Sequence, residues 1–542
     1  MKRGQNTLQS RSSRLHSIDK KLIQLLAERS QLLARDARER KGNDKSYVDP
    51  EKEKKLWSLW RQGLEEHGLN ERILRRTFNL VNSLAYEQAE RREDWVMALH
   101  PRLEAVDIDL PGPVDTVKTR LWLIMGAVLG RDVRIPGAVL NDDLIELIKA
   151  CNQAGAGMSW DQEGASSGTV CPQFDHSSIF VGQDPLNFYL LLGLSLTSPA
   201  VCRFNGGARL KSESMGFLTD VLAEFGARQV FLVPGSDGVP IRVEASGQVP
   251  SKVRVPEEAP DEFVLALLLL APVWARANGE FRLVLNADLE QFRGKHHLIP
   301  IWSQLGAVWE QDGKELIFSG SELTMPQQPE VGLDPVLAGY VLAMPAFCGG
   351  RVLLHGTFPQ AGPERDAFLE LSSQAGLDVD VREGGIESKS GGMPKADLRL
   401  SCRQSPRLIP LALALALAGG QESILGLSSG QDMDFAAHIL ASLGMESEQI
   451  TDQELRIRPA RGRQREDLAV TAPNACWSLG LALMALAGAK VSIKNPGVLT
   501  SLWPQFWTLY KNLPRPRAKS LAGEDKKEES GHGPKRRRRI VD

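Results

Sequence analysis

Residues Gln304 to Gly320 read QLGAVWEQDGKELIFSG. Leu305 ends a helix-like stretch, and Gly306 stands where a helix terminus needs a left-handed residue. Two strand-like runs then flank Asp312-Gly313, a tight-turn pair. The same phrase returns as QAGAGMSW, EFGARQVFLVPGSDGVPIRVEASG, QAGLDVDVREGG and SLGMESEQITDQELRIRP. Its marking glycines are Gly155, Gly226, Gly306, Gly376 and Gly444, separated by 68 to 80 residues. That period is too long for a solenoid and predicts an internal repeat of helix, strand and hairpin. Each sheet has to bury a face against helices, so the repeats must pack together. The expectation is an α/β body over residues 104–513, split into two lobes, with ligands in the cleft between them. The phrase itself is architecture and carries no chemistry.

A chain of 542 residues exceeds the usual size of one core and implies two or three domains. Its formal net charge is -2 and 42% of it is apolar, which excludes a global basic field for nucleic acid. The six cysteines form no CxxC pair and no cluster with histidine, so free thiols in a reducing cytosol are expected, with no metal. The basic N-terminus lacks the apolar run of a secretory signal. FVLALLLLAPVWA (263–275) and LIPLALALALAGG (408–420) are too short to span a membrane and read as buried helices. A cytoplasmic protein with no membrane partner is the expectation.

Ahead of the repeats, Leu15, Ile18, Leu22, Leu25, Leu26, Leu32 and Leu33 recur near helical spacing within residues 14–40. Asp49-Pro50 reads as cap and first turn of a second helix over 51–66, and a third follows over 70–93. Together they predict a helical domain over 8–93, or a dimerising arm. Residues 514–542 are charged, rich in Pro and Gly, and read as disordered. The KRRRR run at 535–539 is suited to RNA, an acidic protein or a membrane surface, and no partner is assigned to it.

The repeat glycines, DIDLPGP with KTRLWLIMGAVL, FNGGARLKSESMGFLTDVLAEFGA and VSIKNPGVLTSLWPQFW together resemble the enolpyruvyl transferase family, specifically 5-enolpyruvylshikimate-3-phosphate synthase. The resemblance implies six βαβαββ units in two lobes, with crossovers in the 110s and near 245–255. It also implies transfer of the enolpyruvyl group of phosphoenolpyruvate to shikimate 3-phosphate, with no cofactor. Such substrates require a cleft crowded with Arg and Lys, plus a carboxylate and a Lys or His to move protons.

Several family positions are altered. In LPGPVDTVKTR, Arg120 matches an anion-binding arginine, but the phosphoenolpyruvate lysine falls at Asp115, with Lys118 as a substitute. In GQDPLNFY the arginine position is Tyr189; in GARLKSES, Arg209 matches and the second arginine is Glu213. Pro260, Asp261 and Glu262 stand where the family holds the substrate phosphate, and Pro406 replaces the general-base aspartate. Ser428, Ser429 and Asp432 replace a Lys-Glu pair and the arginine beyond it, Asn474, Ala475 and Cys476 replace Asp-His-Arg, and Ser501 replaces the closing lysine.

Residues 8–93 resemble the chorismate mutase helical domain, which clamps a dicarboxylate between cations. The resemblance implies a clamp of Arg29, Arg40, Asp49, Lys52 and Glu53. The family's first arginine falls on Ser12, with Arg11 and Arg14 adjacent to supply it from a partner chain in a homodimer. Its glutamine near the third helix's end falls on Ala89, with Gln88 one residue early. The function implied is a shikimate-pathway protein of the 3-phosphoshikimate 1-carboxyvinyltransferase family fused to a mutase-like domain. Its ligands would be phosphoenolpyruvate, shikimate 3-phosphate and chorismate. The altered motifs leave two alternatives open: a catalytically degraded regulator or scaffold, and a transferase fold redirected to another small anion.

Overall fold

The computed structural model describes residues 2–42, 50–67, 74, 77, 78, 81, 96–101, 104–233, 237–392, 397–403, 405–427, 430–460 and 467–516. Asp49, Gln88, Ser428, Ser429 and the chain from 517 lie outside the described residues. For Arg11, Arg40, Glu53 and Asp432 only the backbone is described. Two compact units emerge, Met1–Val96 and Met97–Asp542.

The first unit opens with the helix Lys2–Gly42, which starts well before the expected residue 14. No proline interrupts its first turns, and the helix formers Gln5, Leu8, Gln9 and Arg11 among them let the element extend toward the N-terminus. Pro50–His67 forms the second helix, with proline at its first position as expected. Leu33, Ala34, Phe78 and Val81 are buried, and Trp57 and Trp60 meet Phe78 edge-on at 5.4 and 5.3 Å.

In the second unit one strand order recurs. Asp175–Phe180 runs parallel to Pro199–Asn205, which pairs antiparallel with Ile241–Ser246, which pairs antiparallel with Ala227–Phe231. The sheets built from 252–319, from 398–459 and from 106–111 with 350–390 repeat that order. Two three-stranded sheets, over 134–166 and over 97–99 with 468–493, complete six among the described residues. All five marking glycines have positive φ, between 57° and 84°, and a hairpin follows each. The helices joining first and second strands, such as Pro185–Ser195, Asp261–Asn278, Ile409–Gly419 and Ala475–Leu486, are buried along most of their length. Apolar residues on all sides suit helices that pack on one another inside a lobe, as Pro185–Ser195 does on Asp261–Asn278 and Ile409–Gly419 on Ala475–Leu486.

Two hydrophobic cores define the lobes. One takes residues from Leu121 to Val331; the other takes Met97 to Leu110, Val139, and Leu333 to Leu513. The chain therefore crosses in the 110s, as expected, and returns at 331–333. The second crossover expected near 245–255 is not there. Lys252–Arg254 pairs in parallel with Glu280–Val284 and stays in the first core. Pro250 and Pro256 bracket that short strand, ending its ladder without marking a link between lobes. The return lies in MPQQPEVGLDP, residues 325–335. The crossing segments bond to each other: Val114 bridges Leu333, the Asp115 amide donates to the Gly332 carbonyl (3.0 Å) and the Asp334 amide to the Pro113 carbonyl (2.8 Å). Gly112 lets the segments approach this closely: a Cβ there would lie 2.8 Å from the Leu333 side chain, which would have to shift.

Candidate active site

Each crossing segment ends in an aspartate that caps the next helix. Asp115 Oδ1 accepts from the Lys118 amide at 2.9 Å, starting Thr116–Leu129. Asp334 Oδ1 accepts from the Val336 and Leu337 amides at 2.9 and 3.0 Å, starting Pro335–Leu342. One carboxylate oxygen suffices for a cap, which leaves the second free to organise charge.

Around Asp115, His297 Nδ1 lies 3.4 Å and Lys118 Nζ 4.0 Å from Oδ2. Burial alone would raise the Asp115 carboxyl, but His297 and then Lys118 hold it well below the usual carboxylate range. His296 stacks on His297 with ring centroids 4.0 Å apart. Burial, with His297 beside it, pushes His296 down to about 4, so this ring is neutral at pH 7. Around Asp334, Arg407 donates to Asp334 Oδ2 and to Glu364 Oε1, each at 3.3 Å, and its charge acts on the Cys476 thiol. Burial pushes Glu364 and Cys476 up, while Arg407 opposes both shifts.

A cleft of about 1010 Å³ opens between the lobes beside these groups. Lys118, Arg293, Lys295 and His296 line it from one lobe and Thr357, Pro359, Gln360 and Asp366 from the other. A smaller cavity is lined by Asp115, Lys118, His296, Glu364 and Arg365.

Arg120, two residues beyond Lys118, is 5% exposed. Its Nη1 donates to Asp184 and to Asn187 Oδ1, the latter at 3.0 Å. Asp184 itself caps Pro185–Ser195 through the Leu186 amide, at 2.8 Å. Arg209 is exposed, and its charge helps hold Asp184 ionised. Arg120 is thus paired directly with Asp184, and Arg209 acts on the same carboxylate only through its charge.

Behind Arg120, burial pushes the Asp143 carboxyl up; Arg120 opposes this, Asp184, Glu146 and Asp142 add to it, and the group titrates at about 7. An unfolded aspartate titrates near 4, so the native state holds the extra proton between about pH 4 and 7. The stability this contributes is complete below pH 4 and lost as pH rises to 7. Replacing Asp143 with Asn, which mimics the protonated form, is expected to raise stability by about 1–3 kcal/mol at pH 8 and far less at pH 5. Urea unfolding at the two pH values checks this; a gain independent of pH would contradict it.

The altered positions are placed plainly. Tyr189 is buried against Phe188, Phe217 and Phe263 and offers apolar contact where the family has charge. Glu213 is exposed, and Asp261 and Glu262 form the first turn of Asp261–Asn278. Pro406 opens a short 3-10 turn that aims Arg407 at Asp334. Asn474 caps Ala475–Leu486, and Ala475 is buried. The Ser501 carbonyl accepts from Asn141 Nδ2 at 3.0 Å, beside Thr500 Oγ1 to Asp142 Oδ2 at 2.6 Å.

In the helical unit, the Arg29 guanidinium lies 5.6 Å from the Trp60 ring and 5.7 Å from Phe78. Lys52 pairs with Asp36 at 2.8 Å, and Arg14 is exposed.

The functional residues that sequence reading missed are Asp143, Asp184, His296, His297, Asp334 and Glu364. For two of them a signal was present: Asp184-Pro185 and Asp334-Pro335 read as cap and first turn of a helix, as Asp49-Pro50 does, and each precedes an apolar run.

Comparison with known proteins gives two matches to family models. Residues 12–90 match chorismate mutase type II, and residues 105–401 match EPSP synthase (3-phosphoshikimate 1-carboxyvinyltransferase). A 3-phosphoshikimate 1-carboxyvinyltransferase of Syntrophobacter fumaroxidans is 24% identical over 422 residues, 76% of this chain and 98% of that one. One from Bordetella petrii is 26% identical over 426 residues, 75% and 94%. Among solved structures, EPSP synthase from Acinetobacter baumannii superposes with a TM-score of 0.62 at 16% identity, over 77% of this chain and 98% of the other. The enolpyruvyl transferase NikO from Streptomyces tendae gives 0.57 at 16%, over 76% and 95%. With the repeated strand order, the paired crossings and the family model spanning more than half of its length, the chain belongs to the EPSP synthase family, with a chorismate mutase type II region fused ahead of it.

Proposed function

We propose that the two-lobed unit transfers the enolpyruvyl group of phosphoenolpyruvate to shikimate 3-phosphate, the substrates of its family. The observation that carries this reading is the convergence of Lys118, Asp115, His296 and His297 beside the inter-lobe cleft. Joining a hydroxyl oxygen to C2 of phosphoenolpyruvate requires a proton at C3 and removal of the hydroxyl proton. C3 then returns a proton and phosphate leaves, so the products are an enol ether and inorganic phosphate. Lys118, kept near a carboxylate, supplies charge for the phosphate group, and the histidines with Asp115 supply proton transfer. Phosphate release by the purified chain with both substrates tests the reading; no release above a substrate-omitted control would refute it.

A second reading, ligand binding without turnover, is favoured by Asp184, which already neutralises Arg120. The cytoplasm is the compartment this chemistry suits, and no helix among the described residues is long and apolar enough to cross a membrane.

For the helical unit we propose chorismate as ligand and a second copy of the chain as partner. Ile18, Leu22, Leu25 and Leu32 are 52 to 68% exposed and fall at heptad spacing along Lys2–Gly42. Such a stripe supports pairing of helices. Sedimentation should give a dimer for the wild type and a monomer for Leu25→Glu/Leu32→Glu; a monomeric wild type would refute the pairing.

A further inference from the structure

The Arg120 guanidinium is built as an anion receptor that is only partly used. Its side chain is 6% exposed, Nη1 carries both acceptors, and the buried Nε–H has no acceptor. Asp184, 15% exposed, is its charged partner. The cap of Pro185–Ser195 uses Asp184 Oδ1 alone, and asparagine or serine would cap as well. Asn187 Oδ1 already gives Nη1 a neutral acceptor. Neither the helix nor that hydrogen bond therefore needs the negative charge of Asp184. It stands against the Arg120 guanidinium, where a carboxylate or phosphate oxygen of a ligand would stand.

We infer that Asp184 is a specificity-determining residue: its carboxylate occupies the anion position of Arg120, and a phosphate- or carboxylate-bearing ligand enters only by displacing it. A small anion then binds weakly on charge alone. The inference rests on reading the seam between the lobes as an anion site.

The test compares full-length wild type, Asp184→Asn and Asp184→Ser by calorimetry with phosphoenolpyruvate and, separately, inorganic phosphate. Each substitution keeps a capping oxygen, so the serine variant serves if the asparagine variant does not fold. The expected result is at least a tenfold lower Kd in the variant, lost again when Arg120→Gln is added. An unchanged or higher Kd would overturn the inference. Phosphate release by the wild type from both substrates is measured in parallel and judges the transferase reading on its own. Tighter binding without turnover keeps Asp184's role and removes the reaction; turnover without tighter binding does the reverse.

Discussion

Replacing Asp334 with Ala is expected to cost the two-lobed unit about 2–4 kcal/mol of stability. The side chain is 5% exposed and serves three partners: two amides of the following helix and Arg407. Loss of the cap contributes about 1 kcal/mol. The larger part comes from Arg407, which loses one of its two carboxylate partners and keeps Glu364 while half-buried. Asp334→Asn retains the cap and removes the charge, so it should fall between wild type and alanine. Denaturant midpoints of the three proteins check the order, and an asparagine variant equal to alanine would show that the cap contributes nothing.

Replacing Lys118 with Met is expected to lower phosphate release from phosphoenolpyruvate and shikimate 3-phosphate by roughly 10²- to 10³-fold. Methionine approximates the length of the aliphatic stem, and Asp115 keeps its backbone cap, so the helix start is preserved. The loss falls on charge stabilisation of the transferred group. Fold integrity is read from the melting curve of the same preparation. Turnover within threefold of wild type would remove Lys118 from the reaction and point to Arg293 and Lys295, the other cations lining that cleft from the same lobe.

The repeat was legible because left-handed glycines and apolar helices are local signals; Gly306 and Gly376 mark units without any knowledge of what they touch. The second crossover was not. Pro250 and Pro256 punctuate the chain as strongly as Pro326 and Pro329 do, and only pairing across long separations distinguishes a strand end from a passage between lobes. Candidate cations fared likewise. Arg120 and Lys118 were visible as residue types at family positions, whereas their neutralisation was not. Asp184 lies 64 residues from Arg120, and His297 stands far along the chain from Asp115. Sequence shows which charges exist, and tertiary contacts decide which remain available to a ligand.

The strand Val106–Pro111 finds its parallel neighbour 244 residues later, after the whole other lobe. On a ribosome adding about 5–20 residues per second, that strand waits roughly 10–50 s for its partner. The lobe inserted between the two strands is continuous in sequence and can form its core during the wait. The lobe that begins first is thus the last to finish, and its exposed early strand must be kept from pairing elsewhere until the strand Gly350–His355 has been made.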